Sequence, residues 1–340
     1  MAANYWESTQ RKHWQFTKDQ LATMRQKLED EDPQLVHMFP LQQLRHLNIY
    51  FNQQINRLGK RLGVRQQAIA TAQMYLKRFY TRVEIRRTNP YLVLATAVYL
   101  ACKMEECPQH IRLVVSEARS LWPADFVGLD TSKLGECEFF LISEMNSQLI
   151  VHQPYRTLTM LQGEFALSPE EVALAWSVVN DTYMTDLPLL YPPHVIACTA
   201  VLLAVVLRPS GNNPAGGQGG TNTTNPQAGF AAAAAALSQA RAAGNTTPLG
   251  TPLSSQGSSQ PDGSQPERKA GAGAAAATPD ARVGKVQRFA AWLGESGIDI
   301  EAMVDSTQEL ISFYECHEQY NDKLTREQIN RYVKARGLDK

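Results

Sequence analysis

The chain repeats itself. Sliding residues 173–204 back by 103 positions lays Ala173 on Ala70, Ala175 on Ala72, Tyr183 on Tyr80 and Pro193 on Pro90. The same offset lays Thr199, Ala200, Val201, Leu203 and Ala204 on Thr96, Ala97, Val98, Leu100 and Ala101. Identities at one constant offset, across two apolar segments and the proline between them, indicate tandem duplication of a unit of about 100 residues. Two copies make a pair of similar domains, since a solenoid needs three or more. Apolar residues in both copies recur with helical period, and no alternating strand pattern is convincing. Duplication and period together predict an all-α fold of two tandem five-helix repeats.

The first copy divides into five helices. Leu41 to Leu62 form an amphipathic helix ending near Gly59 or Gly63; 65–83, 90–104, 111–122 and 131–145 follow. The third is apolar almost all round (Leu92, Val93, Leu94, Ala95, Ala97, Val98, Leu100, Ala101) and so must be enclosed by the others. In the second copy, Ser168-Pro169-Glu170-Glu171 supplies a cap, a first-turn proline and an acid three residues after the cap, opening a helix over 172–185. The expected divisions are a leader with an N-terminal helix at 1–38, a first repeat at 39–148, and a second repeat at 149–208 plus 283–320. A short charged helix over 325–338, opening with Thr325-x-x-Gln328, occupies the tail at 321–340.

Residues 209–282 interrupt the second copy. Rich in Gly, Pro, Ser, Thr, Asn and Ala, they offer almost nothing to bury, and disorder is expected. Ala231–Ala236 could support only a transient helix, and Gly216-Gly217-Gln218-Gly219-Gly220 lacks the strand and helix of a phosphate loop.

Lys+Arg and Asp+Glu both count 33, a balance that disfavours direct binding to nucleic acid. The longest apolar run, Val195–Leu207, is too short for the roughly 20 residues of a membrane span. No secretory signal is read at the N-terminus, and the 5 scattered cysteines suit a reducing, intracellular compartment. Cys102, Cys107 and His110 come nearest to metal-ligand spacing, but no second ligand pair follows; they read as structural, and neither metal nor cofactor is expected.

A duplicated fold carries its own control: function should appear where the copies differ. Lys103 aligns with Val206, a position the second copy buries. In the fifth helix, Glu138 sits inside the apolar stripe of Leu134, Leu141 and Met145. A carboxylate among leucines calls for a cation, and Lys103 is the natural candidate if the third and fifth helices are neighbours. Equally, both are half-exposed helix residues whose stems pack and whose heads meet water.

Ala101-Cys102-Lys103-Met104-Glu105-Glu106, followed by Glu136-Cys137-Glu138-Phe139-Phe140-Leu141, resembles the cyclin box. Arg65–Ala72, Tyr75–Tyr80, Val179–Tyr183, Tyr191-Pro192-Pro193 and Asn4-Tyr5-Trp6 resemble the cyclin C branch of that family, and the insert suggests a fungal version. The resemblance implies a nuclear regulatory subunit with no catalytic residues of its own. It would bind and activate a cyclin-dependent protein kinase of the Mediator kinase module, alongside the other subunits of that module, and regulate RNA polymerase II transcription, including phosphorylation of the polymerase tail. Lys103 and Glu138 would form the polar centre of the kinase-binding surface, with Ile142 and Met145 as apolar contacts. Glu105 and Glu106 would offer anions to the arginine cluster of the kinase activation loop, or else are solvated acids after a helix end. Trp6, Trp14 and Phe16 either cover the first repeat or anchor on the kinase. Trp176, Asn180 and Asp181 replace Gln73, Lys77 and Arg78 of the first copy; they line a groove for a second partner, or Trp176 is core and the other two are solvated.

The competing reading is a DNA-binding general transcription factor of the same doubled fold, or a different transcriptional cyclin. For the former, Lys77, Arg78, Arg82, Arg86 and Arg87 supply a local basic patch, but neutral charge and the lack of a zinc ribbon speak against it. A catalytic kinase is excluded: Gly-rich strand loop, His-Arg-Asp and Asp-Phe-Gly are all missing.

Overall fold

The computed structural model describes residues 4–122, 130–207, 238 and 279–339, and among them there are helices and turns but no strand. Three helices make the leader: α1 (Thr9–His13), α2 (Lys18–Asp30) and α3 (Pro33–Met38). The first repeat holds α4 (Leu44–Arg61), α5 (Gln66–Tyr80), α6 (Pro90–Met104), α7 (Ile111–Leu121) and α8 (Thr131–Glu144). The second holds α9 (Tyr155–Glu164), α10 (Pro169–Thr182), the single turn α11 (Leu187–Leu190), α12 (Pro193–Leu207), α13 (Pro279–Glu295) and α14 (Ile300–Glu318). A last helix, α15, runs Asp322–Ala335.

The duplication is visible at atomic detail. Helices α6 and α12 are each 15 residues long, start on the equivalent prolines and form the buried centres of their repeats. Thr96 Oγ1 donates to the Leu92 carbonyl at 2.7 Å, and its counterpart Thr199 Oγ1 to the Val195 carbonyl at 3.0 Å. Polar side chains on all-apolar helices are thus satisfied by their own backbone. The expected capping box at α10 forms in both directions: Glu171 N–H donates to Ser168 Oγ (3.3 Å), and Ser168 N–H to Glu171 Oε2 (2.8 Å).

Each repeat closes its core with borrowed residues. Trp14 of the leader and Ile329, Tyr332 and Val333 of α15 join the first core, whereas Leu21 of α2 joins the second. Phe16 packs against both cores, and its N–H donates to the Leu189 carbonyl at 2.8 Å. Arg78, fully buried, donates to the Gln148 carbonyl at 2.7 Å, with its guanidinium 5.3 Å from the Trp14 ring centroid. Leader, α5 and the segment joining the repeats therefore meet at one cation.

Three expectations change. Helix α15 starts three residues before Thr325, because Asn321 takes the cap by accepting from Leu324 N–H (3.1 Å); Thr325 itself is buried. Helix α13 begins at Pro279, ahead of Val283; the remainder of the expected insert, apart from residue 238, lies outside the described residues, as do Ala231–Ala236 and the glycine run. The expected basic patch is not presented. Lys77, Arg78 and Arg86 are buried, the two arginines on carbonyls and Glu84, while exposed Arg87 pairs with Glu31 at 3.0 Å and Arg82, also exposed, lies 5.0 Å from the Trp14 ring centroid. Among the described residues, no helix is long and apolar enough to cross a membrane.

Candidate functional site

Helix α6 ends in a Schellman cap. Cys107 N–H donates back to the Cys102 carbonyl (2.9 Å), Glu106 N–H to that of Lys103 (3.4 Å), and Glu106 takes the left-handed conformation at φ 53°. Lys103 lies in the last turn, and its ammonium reaches across to α8, pairing with Glu138. It also sits 4.6 Å from the ring centroid of Tyr99. The glutamate side chain is 12% exposed and the lysine 40%, so the carboxylate is pressed between the helices while the lysine arches over it from solvent. The sequence-based pairing of these two residues is thus formed in the structure.

Of the apolar contacts expected beside the pair, Ile142 is half-buried at the surface. Met145 is not available: it is wholly enclosed in the first core, on the same stripe as Leu134 and Leu141. Met104 and Phe139, each following one member of the pair in the chain, are 41% and 76% exposed and were not singled out by the sequence. Their signal was available, since both fall off the buried stripes of their helices.

Glu105 and Glu106 have different surroundings. Glu105 Oε1 accepts from Thr71 Oγ1 at 2.6 Å, and Thr71 Oγ1 accepts from Gln153 Nε2 at 2.6 Å. Glu106 is exposed. Trp6 stands 52% exposed on a 3₁₀ turn that Asn4 caps by accepting from Trp6 N–H (3.1 Å). Trp14, by contrast, is fully buried, so the leader uses one tryptophan inside and presents the other.

A cleft of about 700 Å³ brings Trp6 and Glu105 together, with His152, Arg156 and His194 among its walls. Trp6 lies 5.4 Å from the His194 ring, and Tyr5 5.6 Å from His152. Burial holds both histidines below the ordinary imidazole pKa, with nearby Arg78 adding to the effect at His152. These isolated histidines carried no spacing signal and were not anticipated. Among the described residues, no three His, Cys, Asp or Glu side chains gather to hold a metal ion.

Trp176 and Asn180 meet on Tyr155 beside the first repeat, whereas Asp181 turns to α14. Trp176 stacks on Tyr155 with centroids 4.6 Å apart. Asn180 Oδ1 accepts from Tyr155 Oη (2.7 Å) and from Gln66 Nε2 (3.1 Å) of the first repeat. Asp181 accepts from Tyr314 Oη of α14 at 3.0 Å. Burial raises the Asp181 pKa, with the Tyr314 hydrogen bond and His317 opposing. Asn180 therefore joins the repeats and Asp181 braces the second one, neither being free in solvent.

Comparison with known proteins places this geometry. A family model described as the cyclin N-terminal domain matches residues 16–150. The chain is 66% identical to the RNA polymerase II holoenzyme cyclin-like subunit of Neurospora crassa and 65% identical to that of Chaetomium globosum; each match covers 100% of both chains. Against Aspergillus fumigatus the identity is 52%, again over 100% of both chains. Among solved structures, one of the CAK complex from Chaetomium thermophilum bound to ATP-gamma-S contains a chain that aligns with a TM-score of 0.51 at 17% identity, over 96% of this chain and 88% of that one, a likeness of fold. The chain belongs to the cyclin family, among the fungal RNA polymerase II holoenzyme cyclin-like subunits.

Proposed function

We propose that this protein is a non-catalytic regulatory subunit that binds and activates a cyclin-dependent protein kinase of the Mediator kinase module. In this reading it works in the nucleus with the other subunits of that module and promotes phosphorylation of the RNA polymerase II tail. The observation that carries the reading is the Lys103–Glu138 pair, standing between α6 and α8 beside exposed Met104 and Phe139. A partner helix laid there would meet a polar centre within an apolar rim. Its contribution to activity is positional: pressing on the kinase's regulatory helix completes the lysine–glutamate pair of the kinase active site. Trp6 and Glu105, held in one cleft, suit a further contact with the kinase or with another subunit. The DNA-binding alternative loses its main support with the burial of Lys77, Arg78 and Arg86. The test is purification of the tagged chain from its host at mild salt. Recovery of a cyclin-dependent kinase together with Mediator subunits is expected, and recovery of no kinase would refute the reading.

A further inference from the structure

Beside the Lys103–Glu138 pair lies a feature that kinase binding does not use. In a Schellman cap the chain doubles back, so that the residue two beyond the cap touches the residue three before it. At the end of α6 those two positions are both cysteine: Cys102 and Cys107, tied by the 2.9 Å backbone hydrogen bond already described. Cys102 belongs to the first core and Cys107 packs against that same core, so the cap brings the two side chains to one place. The remaining three cysteines lie elsewhere in the fold, on α8, α12 and α14. Cys102 is fully buried and Cys107 half-buried, so one thiol is sheltered while the other is open to a small oxidant.

From this juxtaposition we infer that Cys102 and Cys107 are a reversible oxidation site, forming an intramolecular disulfide in response to hydrogen peroxide. In the first step the Cys107 sulfur takes an oxygen atom from peroxide, giving a sulfenic acid and releasing water. In the second, the Cys102 sulfur attacks the sulfenic sulfur. The S–O bond breaks, the departing hydroxide takes up the Cys102 thiol proton, and a second water leaves as the S–S bond forms. Burial pushes the Cys102 thiol up to about 12, with Cys107 adding to the effect, so Cys102 is a poor first nucleophile toward peroxide. The difference in exposure sets the order of events, and the cap, which folds Cys107 back onto Cys102, supplies the proximity the second step needs.

The consequence is local. The bridge would span the segment that carries Lys103, Glu105 and Glu106, and would covalently hold Glu106 in its left-handed conformation. In a reducing compartment the bond persists only while peroxide is present, and thiol reductants return both cysteines. The site follows from the α6 cap alone and does not depend on the identity of the partner.

The full chain, treated with hydrogen peroxide, denatured, alkylated and digested without reductant, is the sample to measure by mass spectrometry. The expected product is a fragment containing both cysteines, two hydrogens lighter and unalkylated, restored to two alkylated cysteines by dithiothreitol. Cys107→Ser should abolish it, with circular dichroism unchanged. Cys102→Ser should leave Cys107 trapped as a dimedone adduct. Cys107 passing to sulfinic acid while Cys102 alkylates fully would overturn the inference. So would a disulfide between chains, or a Cys107 thiol that stays unoxidised.

Discussion

Exchanging the charges of Lys103 and Glu138 separates what the pair does within the chain from what it offers a partner. Two unit charges 4 Å apart near a protein surface attract by about 4 kcal/mol. Here the lysine side chain is 40% exposed and the glutamate 12%, so water and side-chain entropy offset part of that attraction. The net worth should be about 1–2 kcal/mol, between the roughly 0–1 of exposed pairs and the 3–5 lost on breaking buried ones. Lys103→Glu removes the attraction and sets two carboxylates together, with one unable to retreat into solvent; Glu138→Lys does the same with two ammonium groups. Each single reversal should destabilise by about 2–3 kcal/mol, several degrees of melting temperature at about 2–4 °C per kcal/mol. The double reversal should recover about half of the summed loss, a coupling of about 2 kcal/mol measured by urea denaturation of all four chains. Kinase capture should be weakened in each single variant and stay weak in the double, because the partner now meets the opposite charge pattern. Additive losses, with coupling below about 0.5 kcal/mol, would refute the idea that these charges meet across α6 and α8. Capture restored in the double would confine the pair to a structural role.

The Asp186 carboxyl is held below its ordinary range: burial would raise it, but the Arg25 hydrogen bonds at 2.7 and 2.8 Å, with Lys77 nearby, overcome that. Its contribution is therefore present above about pH 4 and lost as pH falls through the lowered value, so Asp186→Asn should flatten the acid side of a stability–pH curve. Asp181 runs the other way: its raised pKa makes the ionised form a cost that appears as pH rises. Asp181→Asn, which keeps an acceptor for Tyr314, should raise the urea midpoint at pH 7 and leave it unchanged at pH 3. The Tyr332 hydroxyl is buried without a hydrogen-bond partner, so Tyr332→Phe should be neutral or stabilising, whereas Tyr332→Ala should cost about 3–5 kcal/mol by denaturation. At Gly59 an added Cβ would meet Ile69 Cδ1 at 2.8 Å, so Gly59→Ala should lower stability by about 1–3 kcal/mol, and an unchanged melting temperature would show that Ile69 simply rotates away.

What could be read from the sequence was what period and duplication encode. The bounds of α6 and its register with α12 follow from two prolines and a run of small apolar residues, and these the structure reproduces. The pairing of Lys103 with Glu138 was legible from the apolar stripe around Glu138 and from Lys103 standing where the other copy carries Val206, although Val206 proves only half-buried. What escaped was information held between distant segments. Lys77 and Arg78 looked like part of a surface patch because nothing local announces that Gln148 and Ile150 turn their carbonyls toward Arg78, or that Trp14 covers it. Burial lowers the Lys77 pKa to about 8 against the pull of nearby Asp186, a partner more than a hundred residues away in the chain. Met145 illustrates a different failure. The stripe Leu134–Leu141–Met145 already pointed inward, and family resemblance pulled it outward; the periodicity was the better guide.

The borrowed residues of the first core carry a consequence for how the chain is made. Trp14 leaves the ribosome long before Ile329, Tyr332 and Val333, which fill the same core. At about 5–20 residues per second, the 200 residues separating α7 from α15 take roughly 10–40 seconds to synthesise. Throughout that interval Phe39 and Tyr91 of the first repeat await their final neighbours. The first repeat is thus completed only after the second has been synthesised, and a ribosome that stalls before Asp322 releases a chain whose first repeat is unfinished.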